Sequence, residues 1–244
     1  MKKIKVHIVF TIMVFMFSCQ RESTQDDALS ATALQKESWL TANLDAKFAS
    51  SQKQVAGYLF STEEMKALVQ TPNIEEVHFV LGYADNTIQI EVIGVDKSGN
   101  DLGSVKSTIL KELNLTKLNE LSISKTNKRT SLLTKHLLLP KDASVWIDAW
   151  QKKLNTVSDL DEITSYEGNR FRYFSLESEI IETMVAKNNK NIGVFLGLNS
   201  KGKITTILIG LDQNNVIKTT TLTSKEAEDV YDGTRPCPPC VESE

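Results

Sequence analysis

Histidine and cysteine are scarce in this chain, with three of each among its 244 residues. The histidines are His7, His78 and His136, and their spacing offers no second pair of ligands such as a zinc site requires. Long apolar runs are missing as well, because the apolar stretch near the N-terminus is shorter than the about 20 residues of a bilayer-spanning helix. We therefore predict no metal site, no other cofactor and no transmembrane helix.

The chain also lacks an excess of basic residues. It holds 28 lysines and arginines against 31 aspartates and glutamates, and removal of residues 1–18 would leave 25 against 31, a net charge of −6. A mildly acidic protein has no electrostatic reason to bind nucleic acid, so nucleic acid is excluded as a partner. The hydrophobic fraction of 41% is that of an ordinary globular protein.

The N-terminus has the layout of an export signal. Three lysines in the first five residues precede an apolar core over residues 8–17, and Ser18 and Cys19 follow directly. A small residue before a thiol at this boundary resembles a bacterial lipobox. The resemblance implies cleavage after residues 1–18 and acylation of Cys19 with palmitate-type chains. The alternative is a chance cysteine inside an uncleaved apolar stretch.

An acylated Cys19 would make the lipid bilayer a partner of this protein. Each buried methylene contributes about 0.8 kcal/mol, and two acyl chains already give stable anchoring. Residues 19–31 begin with a polar run that predicts a disordered tether. Its acidic residues Glu22, Asp26 and Asp27 resemble a surface-export signal. We therefore expect an outer-membrane lipoprotein, with exposure on the cell surface.

The strongest internal signal is a repeat. The stretch "FSTEEMKALV" is similar to "FSLESEIIETMV", and "VHFVLGYADNTIQIEVIGVD" is similar to "IGVFLGLNSKGKITTILIGLD". The alignment matches Phe60-Ser61 with Phe174-Ser175, and Leu81-Gly82 with Leu196-Gly197. Likeness through helix, strand, helix, strand and strand in the same order predicts a duplication.

Each unit is predicted to open with a helix that carries an apolar stripe, formed by Leu40, Leu44 and Phe48 in one unit and by Trp146, Trp150 and Leu154 in the other. Pro140 is tolerated in the first turn of the second such helix. Ser61 and Glu64 predict a capping box for a helix from Thr62 to about Val69. An alternating hairpin follows, and Asp96 begins a turn rather than a calcium loop.

These patterns predict an α+β fold of two related helix-strand-helix-hairpin units with antiparallel sheet. The predicted divisions are a signal peptide (1–18), the lipidated cysteine and tether (19–31), the first unit (32–103), a connector (104–139), the second unit (140–222) and a C-terminal tail with a CxxC motif (223–244).

The tail motif "CPPC" contains Cys237 and Cys240, an even pair in an exported protein and a candidate disulfide. Closing so short a ring would contribute about 2 kcal/mol at most. The alternative is a redox-active pair with Cys237 as nucleophile, but so few residues follow Cys240 that almost no helix is left to lower its pKa.

Three aromatic residues are candidate ligand contacts: Trp146 and Trp150 on one helix face, and Tyr166 in the loop "NTVSDLDEITSYEGNR". Core packing is the competing interpretation of the two tryptophans. The loop is longer than its counterpart in the first unit, and added length of this kind is a favoured place for function. His136 shows no acid or nucleophile partner in the sequence, so no catalytic residue is predicted.

The lipobox-like Cys19, the two hairpins and the closing "YDGTRPCPPC" together resemble uncharacterised lipoproteins of Bacteroidetes-type bacteria. The resemblance implies location and architecture and carries no activity. We predict a membrane-anchored envelope lipoprotein that acts as a non-enzymatic binding or structural module, with a protein or ligand of the envelope as its partner. The alternatives are an envelope thiol-redox protein that uses Cys237 and Cys240, and a hydrolase with an unrecognised site.

Overall fold

The computed structural model describes residues 24–112, 117–118, 121, 129–217, 229–232 and 234–240, with the backbone alone for 24–32. The predicted signal peptide and Cys19 lie outside the described residues. The helices are α1 (Thr24–Thr41), α2 (Ala46–Gln52), α3 (Thr62–Val69), α4 (Ser131–Lys135), α5 (Pro140–Lys153), α6 (Leu160–Ile163) and α7 (Ser178–Val185). None of them is both long enough and apolar enough to cross a bilayer.

The strands are β1 (Gly57–Ser61), β2 (Glu76–Ala84), β3 (Thr87–Val95), β4 (Asp101–Lys106), β5 (Thr108–Leu110), β6 (Leu137–Leu138), β7 (Ser165–Tyr166), β8 (Asn169–Arg170), β9 (Tyr173–Glu177), β10 (Asn191–Leu198), β11 (Ile204–Leu211), β12 (Val230–Tyr231) and β13 (Arg235–Cys237). The first sheet has the order β5-β1-β10-β11-β12-β6, and the second has the order β13-β9-β2-β3-β4. Helices packed on antiparallel sheets confirm the predicted α+β class.

The two predicted units exchange their first strands. Strand β1 pairs with β10 of the second unit, and β9 pairs with β2 of the first unit. Matching hydrogen bonds accompany the exchange. The amide of Thr62 donates to the carbonyl oxygen of Lys190 at 3.1 Å, and the amide of Ser178 donates to the carbonyl oxygen of Glu75 at 2.9 Å. Each unit therefore completes the sheet of the other. A common origin of the units by duplication stays a prediction.

The helices that follow the exchanged strands correct the repeat alignment. Helices α3 and α7 have eight residues each, and their N-cap residues are Ser61 and Glu177. Ser61 therefore corresponds to Glu177, two positions after the Ser175 that the sequence alignment chose. A shift of two residues keeps every strand side chain on its own face, so the apolar pattern could not reveal it. The bounds predicted for α3 are confirmed, but the Ser61 side chain makes no capping hydrogen bond.

The opening helix of the first unit was predicted wrongly. Leu40, Leu44 and Phe48 do not share one helix, because α1 ends at Thr41 and α2 begins at Ala46. Asp45 causes the restart, since its carboxylate accepts hydrogen bonds from the amides of Lys47 at 2.8 Å and Phe48 at 3.1 Å. In the second unit, Pro140 lies at the start of α5 as predicted.

Two segments predicted as peripheral contribute regular structure. From Thr24 onward the predicted tether is helical, because residues 28–37 are rich in alanine, leucine, glutamine and other helix-forming residues. The predicted tail, 223–244, supplies β12, which pairs with β11, and β13, which pairs with β9. The C-terminal segment is therefore part of both sheets.

Two glycines allow the opening helices to approach the hairpins closely. A methyl group placed on Gly82 would lie 3.3 Å from Cβ of Gln35 on α1, and one on Gly197 would lie 3.1 Å from Cβ of Trp146 on α5. Gln35 on α1 and Trp146 on α5 therefore occupy equivalent positions, each directly above a hairpin glycine. Four residues later on each helix, Trp39 and Trp150 are almost fully buried.

Candidate functional site

The long loop of the second unit forms one wall of an open cleft. The loop folds into α6 and the β7–β8 hairpin, and the end of α1 and the start of β11 complete the walls. The cleft has a volume of about 560 Å³, which lies within the range of small-molecule sites. Its lining residues are Leu40, Asp161, Glu162, Ser165, Glu167, Gly168, Arg170 and Lys203.

Arg170 connects this hairpin to α1. Its Nη1 donates to the carbonyl oxygens of Trp39 and Ala42, both at 2.8 Å, and its Nη2 donates to Asp161. The guanidinium carbon lies 4.9 Å from the centre of the Trp39 ring, and Nε1 of Trp39 donates to the carbonyl of Phe171 at 2.6 Å. Trp39 thus holds the two elements together, a role that its sequence context did not predict.

The second cation of the cleft is also engaged. Nζ of Lys203 donates to the main-chain carbonyl of Glu162 at 2.7 Å and lies 3.9 Å from a carboxylate oxygen of the same residue. Of the four acidic residues in this loop, Asp161, Glu162 and Glu167 line the cleft, while Asp159 pairs with Lys153 at 3.1 Å. The cleft therefore combines three carboxylates with two cations whose contacts are internal to the protein.

Ser165 adds a hydroxyl to this cleft. It lies directly opposite Arg170 in the β7–β8 pair, and residues opposite each other in an antiparallel pair share a face. Ser165 is 7% exposed, and within the described ranges its hydroxyl takes part in no hydrogen bond. The hydroxyl oxygen is not among the fully buried oxygens that lack a partner, so it is reached from the cleft and is accessible to a ligand donor.

The predicted aromatic contacts are not brought together. Trp150 is 1% exposed and belongs to the main apolar core, so the prediction of a ligand contact there is corrected to a packing role. Trp146 packs against Gly197 and against an apolar cluster that includes Ile207 and Ile209 of β11. Tyr166 is 41% exposed on β7, next to Ser165, and it is the most exposed of the three, since Trp146 is partly buried.

Cys237 and Cys240 form a disulfide in the structure. Cys237 is 2% exposed and pairs with Tyr173 at the end of β13, whereas Cys240 is exposed. A redox nucleophile requires an accessible thiolate at a helix N-terminus or beside a cation. Cys237 ends a strand, and the described residues after it are not helical. The arrangement is that of a structural bridge at the edge of the second sheet.

His136 has an acidic partner that the sequence analysis missed. Its Nε2 lies 3.1 Å from Oε2 of Glu177, and its Nδ1 lies 3.1 Å from the carbonyl of Asp232. The contact with His136 and the neighbouring Arg235 lower the pKa of Glu177 to about 2. The imidazole is 3% exposed, so it has no open face for a substrate.

Arg235 extends this pair into a chain of charges across the second sheet. Its guanidinium contacts Glu177 and Glu76, each at 2.6 Å, and Glu76 lies 3.6 Å from Nε2 of His78. Burial lowers the pKa of His78, and Glu76 opposes that shift. The His78 ring also stacks on Tyr173 at 4.2 Å. The chain joins β2, β9 and β13, which makes it a structural seam between the units.

Within the part of the chain that the structure describes, no group of three or more histidine, cysteine or acidic side chains is arranged to hold a metal ion. A second cleft, between α1 and the second sheet, has a volume of about 180 Å³. The cleft beside α6 is the larger of these two and is taken as the candidate site.

Comparison of the chain with models of protein families, with curated proteins and with solved structures gives no match in any of the three.

Proposed function

We propose that this protein is an exported lipoprotein, anchored in the bacterial envelope through acylated Cys19, whose folded part is a non-enzymatic binding module. The observation that carries the anchoring is the boundary at Ser18-Cys19, directly after a lysine-rich start and a short apolar core. The cysteine lies where a signal peptidase would expose it as the first residue. Acyl chains at this position would hold the protein to the outer membrane without a transmembrane segment.

The disulfide supports an extracytoplasmic location. Disulfides persist in oxidising compartments such as the periplasm and the cell surface and are rare in the cytosol. The Cys237–Cys240 bond closes the end of β13, where the amide of Arg172 donates to the carbonyl of Cys237 at 2.7 Å. The bond is thus built into the folded edge of the second sheet, as expected of a protein that folds after export.

The open cleft supports the binding role. Its polar groups lie on a rigid frame, because Arg170 attaches the β8 strand to α1 and Lys203 attaches β11 to α6. A pocket of this volume with a few convergent polar groups is typical of a ligand site. Neither Cys237, which the thiol-redox alternative requires, nor His136 lines this cleft.

Metabolic labelling tests the anchor. We would express the full chain in a Gram-negative host with labelled palmitate and follow label and protein in the membrane fraction. The wild type should be labelled and membrane-bound, and Cys19→Ser should lose both properties. The matched control is the double variant Cys237→Ser and Cys240→Ser, which removes the other thiols and should keep the label. An intact, unmodified leader in the mass spectrum of the purified protein would refute the anchor.

A further inference from the structure

The cleft beside α6 has an imbalance between its donors and its acceptors. The guanidinium of Arg170 is used by two carbonyls and by Asp161, and the ammonium of Lys203 is used by the carbonyl of Glu162. The side chain of Glu167 has no partner within the described residues, and Asp161 uses one of its two oxygens. The walls therefore present free carboxylate oxygens, while their cations are already bound within the protein.

Ser165 supplies the second, independent observation. It is more than nine-tenths buried, it lines the cleft, and its hydroxyl makes no hydrogen bond within the described part of the chain. Because Ser165 and Arg170 share one face of the β7–β8 hairpin, the hydroxyl is on the same side as the cleft. An oxygen in this position can accept a hydrogen bond from a ligand donor.

The size and chemistry of the cleft limit the ligand. A volume of about 560 Å³ exceeds the space of one ion, and the described residues include no metal-type cluster. Leu40 offers an apolar surface beside the polar groups. A ligand that complements free carboxylates, an acceptor hydroxyl and a short apolar wall carries ammonium groups on a small carbon chain.

We infer that this cleft binds a small organic amine, with ammonium groups donating to Glu167, Asp161 and Ser165 and a carbon chain lying along Leu40. The amine site rests on the binding role proposed above but not on the lipid anchor, because every residue of the cleft belongs to the folded body. The cleft opens near the end of α1, 16 residues after Thr24. At 1.5 Å per residue the helix places it about 24 Å from the end that follows Cys19.

Calorimetric titration of the full chain in detergent with three five-carbon probes tests the ligand class. Cadaverine carries two ammonium groups, glutarate carries two carboxylates, and 1,5-pentanediol is neutral. We expect saturable binding of cadaverine at one site, no binding of the other two probes, and weaker cadaverine binding as salt is raised, because exposed charges are screened. Absence of cadaverine binding, or equal binding of glutarate or pentanediol, would overturn the inference.

Variants locate the binding. Glu167→Gln changes an exposed side chain and should raise the Kd for cadaverine about tenfold, as expected for loss of a hydrogen bond to a charged group. Ser165→Ala should raise it about threefold and leave the Tm unchanged, because its hydroxyl has no protein partner. The matched control, Glu182→Gln on α7, should change neither value. Unchanged cadaverine binding in both cleft variants, or a lower Tm in Ser165→Ala with unchanged binding, would contradict the assignment.

Discussion

The close contact between α5 and β10 can be tested by adding one methyl group at Gly197. The new carbon would lie 2.7 Å from Cδ1 of Ile207, 3.1 Å from Cβ of Trp146 and 3.2 Å from the main-chain carbonyl carbon of Trp146. The Ile207 methyl lies at the end of a side chain and can rotate away. The Trp146 atoms belong to the helix, so they can yield only if α5 moves away from the sheet.

The expected cost of Gly197→Ala follows from two opposing effects. Overpacking of a well-packed core costs about 1–3 kcal/mol. Replacement of glycine also reduces the freedom of the unfolded chain, which stabilises the native state by about 0.4–1 kcal/mol. The variant should therefore lose about 1–2 kcal/mol in the free energy of unfolding, which corresponds to about 2–8 °C in Tm for a protein of this size.

Gly82→Ala is the matched control, since Gly82 holds the same position under α1. Its added methyl would be 3.3 Å from Cβ of Gln35 and 3.6 Å from the next atoms, so we expect a change close to zero. Urea denaturation followed by tryptophan fluorescence would give both values, with unchanged m-values as the sign that only stability changed. A cost in Gly82→Ala equal to or larger than that in Gly197→Ala would refute this account of the two contacts.

Three further predictions concern the seam, the α1 contact and the strand exchange. Glu177→Gln should lower the free energy of unfolding by about 1–2 kcal/mol at neutral pH, a value already reduced for the partial exposure of the side chain. The pKa of Glu177 in the folded protein is about 2, below the ordinary 4.5. The difference in stability between variant and wild type should therefore vanish as the pH falls from 4.5 to 2, as measured by denaturation at a series of acidic pH values. Trp39→Phe should cost about 1–3 kcal/mol in urea, since it leaves the carbonyl of Phe171 without its donor. Fragments 1–123 and 124–244 should fold only when mixed, as measured by circular dichroism and co-purification, because each lacks the sheet partner of its exchanged strand.

Controls exist within the same chain. Glu182→Gln removes an exposed carboxylate on α7 and should show no pH-dependent difference from the wild type. Trp146→Phe removes an indole that donates no hydrogen bond in the described structure, so it should cost less than Trp39→Phe. A difference for Glu177→Gln that persists at pH 2, an equal cost of the two tryptophan variants, or a cooperatively folded monomeric fragment would each contradict the corresponding argument.

The candidate site was predictable in part. The added length of the loop before β9 directed attention to the segment that forms the cleft, and Asp161 and Glu167 of this loop line it. Lys203 and Leu40 could not be assigned to the site, because they belong to distant stretches of the chain. Trp150 was a candidate because an aromatic side chain at helical spacing suits both a core and a ligand platform, and only its burial separates the two.

The sequence by itself determined the fold class and many of the elements, but not the division between α1 and α2 or the strands β12 and β13. Alternating residues specified β2 and β3, apolar spacing specified α5, and the Ser61 and Glu64 pattern specified α3. Turn residues such as Asp96 specified the ends of strands. Each of these signals acts between neighbours in the chain. The tertiary structure alone decided which sheet each strand joins. The pairing of β1 with β10 and the ion pair of Glu76 with Arg235 link residues more than one hundred positions apart. Such contacts follow from how the apolar faces of both units are buried together, and no local pattern records them.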